Sequence, residues 1–118
     1  MKAFRILLLS LMVNLFVISL VFAGGDAVKG KSLFNNPKFA SGSRSCNSCH
    51  PDGKGLENAA DKKEFRIMGK SQKGLEEAVN FCIVNANKGK AIDVNSPEMQ
   101  DIVAYIKSLK KKPTMPGY

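Results

Sequence analysis

Apolar positions divide the chain into an N-terminal apolar run and three later segments with helical spacing. The run covers residues 6–21. It follows two basic residues, Lys2 and Arg5, and is followed by the small residue Ala23. This is the layout of a secretory signal that is cleaved near Ala23. The alternative is a retained membrane anchor, but a span needs about 20 apolar residues, and three polar side chains interrupt this run.

The first segment with helical spacing follows two glycines. Asp26 is a favourable N-cap residue, and the helix is predicted to extend to about Asn35. Val28, Leu33 and Phe34 are its apolar positions. An Asn-Pro pair ends it, since proline does not continue a helix.

The other two segments have longer apolar stripes, at intervals of three and four residues. The stripe of residues 74–87 consists of Leu75, Ala78, Val79, Cys82, Ile83 and Ala86. The last segment begins with Ser96-Pro97-Glu98, an N-cap followed by a proline at the first helical position and an acid in the first turn. Its stripe consists of Met99, Ile102, Val103, Ile106 and Leu109, and Pro113 ends the helix.

The remaining residues form loops in this interpretation. Residues 57–66 are predicted as a short polar helix, and no strand-like alternation stands out. The sequence therefore predicts an all-α domain over residues 24–118, preceded by a signal peptide over residues 1–23. A domain of this size buries a modest core and is often stabilised by a metal group or a disulfide.

Basic residues exceed acidic ones, and the net charge is +8. Cleavage after Ala23 removes Lys2 and Arg5 and no acid, which lowers the net charge to +6. Such a surface attracts acidic partners. No nucleic acid is expected, because aromatic residues do not alternate with the lysines. Contact with a membrane is expected only through the signal segment, if that segment stays uncleaved.

Two of the three cysteines stand in the motif Cys46-Asn47-Ser48-Cys49-His50. Thiols at this spacing reach the two vinyl groups of one porphyrin, and the adjacent histidine coordinates the iron. The motif therefore predicts one covalent haem c, attached to Cys46 and Cys49, with His50 as the proximal iron ligand. A redox disulfide or a zinc site would need a βαβ setting or further ligands, and the chain has no second histidine.

Several residues are candidates for the other face of the iron, and bis-histidine ligation within one chain is excluded. Met68 follows the motif histidine by only 18 residues. Met99 lies in an apolar stripe, and Met115 lies in the C-terminal tail. Cys82 faces inward on its helix, where a buried core cysteine is the alternative interpretation.

The order of these features resembles the small monohaem c-type cytochromes of class I. Gly30 and Phe34 match the glycine and aromatic residue that those cytochromes use where the first and last helices cross. Ala104-Tyr105-Ile106 matches the aromatic partner on the last helix. The resemblance implies helices wrapped around one covalent haem.

The C-terminal part also resembles the haem domains of thiosulfate dehydrogenase and of the SoxA sulfur-oxidation cytochrome. The matching residues are Asn80-Phe81-Cys82, Gly89-Lys90, Ser96-Pro97-Glu98-Met99 and Ala104-Tyr105-Ile106. In those domains the cysteine is the axial ligand opposite the histidine, which implies that Cys82 is the distal ligand, with Met68 or Met115 as alternatives. Those domains also use basic residues to hold the sulfur anion. The candidates in this chain are Lys62, Lys63, Arg66, Lys70 and Lys73. The alternative interpretation is that these residues form a solvated face.

Two functions follow from this resemblance. The first is a periplasmic electron carrier that passes single electrons between redox partner proteins with acidic docking surfaces. The alternative is a sulfur-compound-oxidising haem protein or subunit that acts on thiosulfate or another sulfur anion. The enzymes it resembles pair two haem domains or bind a second subunit, and this chain has one haem motif. The protein is therefore expected to be an electron carrier rather than a stand-alone enzyme.

Overall fold

The computed structural model describes residues 24–110. The predicted signal peptide, its cleavage point at Ala23 and the candidate ligand Met115 lie outside these residues. Within residues 24–110, no helix is long and apolar enough to cross a membrane.

Helix α1 comprises Ala27–Asn35 and begins as the sequence predicts. One carboxylate oxygen of Asp26 accepts hydrogen bonds from the backbone N–H groups of Val28 and Lys29, at 2.9 and 3.2 Å. These bonds satisfy two of the donors that a helix N-terminus leaves without partners. The side chain of Val28 was predicted to be on the apolar face, but it is 82 % exposed, so that part of the prediction is wrong.

Helices α2 (Leu75–Asn85) and α3 (Pro97–Ser108) confirm the other two helical segments. The hydroxyl of Ser96 caps α3 by accepting a hydrogen bond from the backbone N–H of Met99, at 3.2 Å. The loop between these helices is fixed to α2 by Asn80. Its side-chain oxygen accepts from the N–H of Ile92 at 2.9 Å, and its side-chain nitrogen donates to the carbonyl of Ile92 at 2.7 Å.

Helices α1 and α3 cross at the residues predicted for this contact. The rings of Phe34 and Tyr105 meet edge to face, with centroids 5.1 Å apart and planes at 65°. Gly30 lies against the backbone of α3, where a Cβ atom would overlap the carbonyl group of Asp101. Glycine is therefore required by the close approach of the two helices. The largest fully buried side chains of the core are Phe34, Ile83, Met99 and Ile102.

The prediction of an all-α chain, with a polar helix over residues 57–66, is wrong in this region. Residues Ala59–Asp61 form only a single 3-10 turn. Strands β1 (Glu64–Ile67) and β2 (Lys70–Lys73) follow and pair in antiparallel register. Polar and apolar residues alternate in β1. The two connecting residues, Met68 and Gly69, both have positive φ, as in a type I′ hairpin turn.

Candidate functional site

The cysteine–histidine motif forms a tight turn, in which Cys46 is half-buried and Cys49 is exposed. Cys46–Ser48 is a single 3-10 turn, and the carbonyl of Cys46 accepts hydrogen bonds from the N–H groups of Cys49 and His50, at 3.2 and 3.0 Å. The hydroxyls of Ser45 and Ser48 lie 3.0 Å apart, within hydrogen-bond distance. Neither motif cysteine forms a disulfide within residues 24–110. They are thus available for bonds to a group lying over the turn.

The ring of His50 is held by the chain that follows it. Nδ1 lies 3.1 Å from the carbonyl oxygen of Lys54. A carbonyl only accepts hydrogen bonds, so in the neutral imidazole Nδ1 carries the proton and Nε2 keeps its lone pair. A second hydrogen bond, from the N–H of Asp52 to the side-chain oxygen of Asn47 at 2.8 Å, folds the loop back onto the motif. This arrangement is typical of a metal-ligating histidine, whose outer nitrogen is fixed by a backbone carbonyl.

An apolar cavity of about 320 Å³ lies beside the motif. Cys46 and His50 line one side, α2 lines another, and residues of α1, α3 and β1 complete it. Its apolar lining residues are Phe34, Leu56, Ala59, Phe65, Ile67, Leu75, Ala78, Val79, Ile102 and Ile106. Cofactor sites commonly have this volume range and an apolar lining with few polar groups.

Cys82 lines the same cavity from α2, so the fold brings it to the motif residues Cys46 and His50. Burial raises the pKa of the Cys82 thiol, and the nearby Cys46 and Cys49 raise it further. A thiol with a raised pKa stays protonated at neutral pH, unless a metal ion binds the thiolate and reverses the balance. The structure therefore presents a sulfur donor at the cavity, held in a largely apolar setting.

The candidate methionines are placed elsewhere. Met68 lies at the hairpin turn, is 75 % exposed and does not line the cavity. Met99 is fully buried in the core and does not line it either. Of the five basic residues considered for anion binding, Lys62 and Arg66 line the cavity; Lys63, Lys70 and Lys73 do not.

Asn87 is a site residue that the sequence interpretation missed. It is buried, and its side-chain nitrogen donates a hydrogen bond to Sγ of Cys46, at 3.4 Å. Burial raises the pKa of Cys46, and this hydrogen bond offsets part of that rise. The sequence contains a signal for Asn87, because this residue continues the four-residue spacing of the buried positions Leu75, Val79 and Ile83. A polar residue on a buried stripe needs a partner.

The donor set and the cavity fit a covalently attached haem. Cys46 lines the apolar cavity, Cys49 lies exposed at the end of the same turn without lining it, and His50 follows directly in the chain. On the α2 side, Cys82 offers a further sulfur. A porphyrin supplies the iron's remaining ligands itself, so only axial donors and attachment points are required of the protein.

Comparison with known proteins identifies the type of domain. A family model described as the SoxA/TsdA cytochrome c domain matches residues 29–115. The match contains the cysteine–histidine motif, the hairpin, α2 and α3, so the similarity extends over most of the chain and is not confined to its C-terminal part. No curated protein and no solved structure matches the chain.

Proposed function

Because the chain belongs to the SoxA/TsdA cytochrome c domain family, we propose that it is a monohaem electron carrier that transfers single electrons between redox partners. Members of this family carry covalent haem c, and so does this chain. One observation carries the proposal: a single apolar cavity is lined by Cys46, His50 and Cys82. This site offers a histidine and a cysteine as candidate axial donors.

Cys46 and Cys49 are the proposed attachment points. They lie at the two ends of a single 3-10 turn, and each thiol would add to one vinyl group of the porphyrin. His50 is the proposed proximal ligand, through Nε2, because the carbonyl of Lys54 holds Nδ1. The hydrogen bond fixes the ring orientation and raises the basicity of the ligating nitrogen.

Cys82 is the proposed distal ligand. It lines the cavity, whereas the alternative Met68 is 75 % exposed at the hairpin turn. Met115, the other alternative, lies outside the described residues. Axial ligands shift haem potentials over about 0.8 V, and an anionic thiolate stabilises ferric iron. The proposed carrier therefore has a low reduction potential relative to methionine-ligated cytochromes.

Electron transfer requires little further chemistry from the protein. The apolar side chains around the cavity exclude water, which limits solvent reorganisation when the charge of the iron changes. The proposed location is the periplasm, with residues 1–23 cleaved as a signal peptide and residues 24–118 forming the cytochrome domain. The net positive charge favours redox partner proteins with an acidic docking surface.

A second candidate function is oxidation of sulfur compounds as a haem subunit. The family match favours it, and so does the placement of Lys62 and Arg66 at the cavity that Cys82 lines. Two cationic side chains there suit thiosulfate or another sulfur anion. A single haem accepts one electron at a time, so coupling two thiosulfates requires two turnovers or a second haem protein.

The electron paramagnetic resonance spectrum of the ferric holoprotein tests the ligand assignment. We expect a low-spin signal of the thiolate type that Cys82→Ala abolishes. Met68→Ala is the matched control and leaves the signal unchanged. If the Cys82→Ala protein keeps the same low-spin signal, Cys82 is not the distal ligand. A methionine ligand would instead show its weak absorption at the red end of the visible spectrum.

The two functions are separated by reduction experiments. An electron carrier is reduced and reoxidised reversibly, without consuming thiosulfate. A sulfur-oxidising subunit reduces a dye acceptor in the presence of thiosulfate, and Lys62→Gln with Arg66→Gln lowers that rate. No thiosulfate-dependent rate above a free-haem control excludes the second function for the isolated chain.

A further inference from the structure

Positive charge is concentrated in residues 62–73, which we call the hairpin segment. It contains five basic residues and one acid, Glu64, and thus +4 of the chain's net charge of +8. All five basic side chains are exposed, and none forms an ion pair within residues 24–110. The carboxylate of Glu64 accepts a hydrogen bond from the hydroxyl of Ser71 across the two strands. The acid is thus engaged inside the hairpin.

Met68 is an unfavourable residue for the position that it occupies. Its side chain is 75 % exposed and its φ is 51°. Turns with two central residues of positive φ favour Asn-Gly, and here the sequence has Met68-Gly69. Folding gains nothing from an exposed apolar side chain on a left-handed backbone. Such an outlier points to a contact outside the chain, and methionine adapts well to partner surfaces.

The hairpin segment also forms a wall of the cavity. All four residues of β1, Glu64–Ile67, line it together with Lys62. The open end of the hairpin is closed by a hydrogen bond from the N–H of Gly74 to the carbonyl of Lys63, at 3.0 Å. The segment is attached to α2 by the N–H of Lys73, which donates to Oε2 of Glu77 at 2.8 Å. A protein bound to the outer face of this hairpin is therefore separated from the proposed haem site by one layer of chain.

We propose that the hairpin segment is the docking surface for an acidic redox partner protein, with Met68 in an apolar centre and the lysines around it. The inference rests on the proposed electron-carrier function and specifies where the electron passes. An apolar centre with a charged rim is the usual anatomy of a protein interface. Complementary charge increases the rate of encounter and orients the two proteins.

Voltammetry of the holoprotein on coated gold electrodes tests this surface. On a carboxylate-terminated monolayer, the wild-type protein gives a reversible one-electron wave. Lys70→Glu lowers the electron-transfer rate constant by about tenfold or more, the low end of electrostatic steering effects. Its midpoint potential stays unchanged, since Lys70 does not line the cavity. Lys29→Glu on α1 is the matched control, an exposed lysine outside the cavity lining, and keeps the wild-type rate.

The apolar centre is tested on a mixed monolayer of carboxylate and methyl end groups. Met68→Ser slows electron transfer there and leaves the rate on the pure carboxylate monolayer unchanged. Val28→Ser is the matched control, because Val28 is 82 % exposed on α1. The docking surface is overturned if the hairpin and control variants lose the electron-transfer rate equally, or if neither hairpin variant loses it. In both cases the reversible wave upholds the carrier function.

Two further outcomes are decisive. Absence of a reversible one-electron wave for the wild-type protein on every surface contradicts the carrier function itself, and the docking proposal with it. The second outcome comes from sedimenting the holoprotein with phosphatidylglycerol vesicles. Vesicle binding that is lost in Lys70→Glu and kept in Lys29→Glu assigns the hairpin segment to a lipid surface and overturns a protein partner. We expect no such binding at physiological ionic strength.

Discussion

The side-chain amide of Asn87 donates a hydrogen bond to Sγ of Cys46, with 3.4 Å between the nitrogen and the sulfur. The backbone of Asn87 binds both neighbouring segments. Its N–H donates to the carbonyl of Cys82 at 3.0 Å, and its carbonyl accepts from the N–H of Ser43 at 2.9 Å. Asn87 thus joins the helix that presents Cys82 to the loop that leads into the haem motif.

Replacing Asn87 with alanine should lower the free energy of unfolding by about 1–2 kcal/mol, since the buried amide loses its hydrogen bond and leaves a small void. Chemical denaturation of the holoprotein, followed by far-UV circular dichroism, measures the change. Asn95→Ala is the control, because Asn95 is exposed and surface substitutions usually change stability by less than about 0.5 kcal/mol. Equal stabilities of the two variants would show that the amide does not hold this junction.

The crossing of α1 and α3 gives a second prediction. A Cβ atom on Gly30 would overlap the carbonyl group of Asp101 and lie 2.9 Å from Cβ of Tyr105. The two helices must separate to admit it, and this also pulls apart the rings of Phe34 and Tyr105. We expect Gly30→Ala to lower the free energy of unfolding by about 3 kcal/mol, the upper end for overpacked sites.

Gly24→Ala is the control for Gly30→Ala, because nothing lies within 4 Å of a Cβ atom at Gly24. Thermal unfolding of the two holoproteins should separate them by about 10 °C or more, since 1 kcal/mol shifts Tm by roughly 4–8 °C in a domain of this size. Gly30→Ala with a wild-type Tm would mean that the helices cross at a greater distance.

The helices were predictable because their signals are local. The Asp26 cap and the Ser96-Pro97 start each lie within one helical turn of the helix that they begin. The hairpin depends on a more distant contact. Lys70–Lys73 has no strand propensity of its own, and it pairs with β1 because the turn reverses the chain and α2 packs against both strands. The alternation of Glu64–Ile67 was visible, but four residues give a weak signal.

The site residues also divide into those with a local sequence signal and those that depend on distant contacts. Cys46, Cys49 and His50 are adjacent in sequence, so their common chemistry is evident from the motif. Cys82 could be assigned to the site only from a resemblance or from a structure, because only the fold brings α2 to the cavity. Asn87 required the structure, since the partner of its side chain lies 41 residues away.

Tyr105 gives a prediction about alkaline stability. Burial raises the pKa of Tyr105, and the charge of Asp52 adds to the rise. Below about pH 10 the side chain is neutral in both the folded and the unfolded chain. Above that pH the unfolded chain loses the proton first, so ionisation favours unfolding and stability falls as pH rises. Tyr105→Phe removes this contribution.

The measurement for Tyr105 is the difference in free energy of unfolding between wild type and Tyr105→Phe, followed against pH. We expect a constant difference up to about pH 9 and a change in favour of the variant above about pH 10. Lysine ionisation occurs in both proteins and cancels in the difference. A difference that stays constant to about pH 11 would show that the phenol ionises equally in the folded and unfolded chains.

Met68 links stability to the proposed docking surface. Asparagine tolerates its left-handed backbone, φ 51°, better than methionine does, and a left-handed residue costs about 1–2 kcal/mol. We expect Met68→Asn to raise the free energy of unfolding by about 0.5–1 kcal/mol, part of that cost. The same substitution removes the apolar centre of the hairpin segment, so electron transfer on the mixed carboxylate and methyl monolayer should slow.

A rise in stability combined with a loss of electron transfer is the pattern expected of a position kept for function. Val28→Asn is the control, since it replaces an equally exposed apolar residue within a helix. Asparagine is a poorer helix former than most residues, so this variant should gain no stability, and its electron-transfer rate should match wild type. If Met68→Asn gains stability and keeps the full rate, Met68 is a tolerated turn residue and the docking surface lies elsewhere on the molecule.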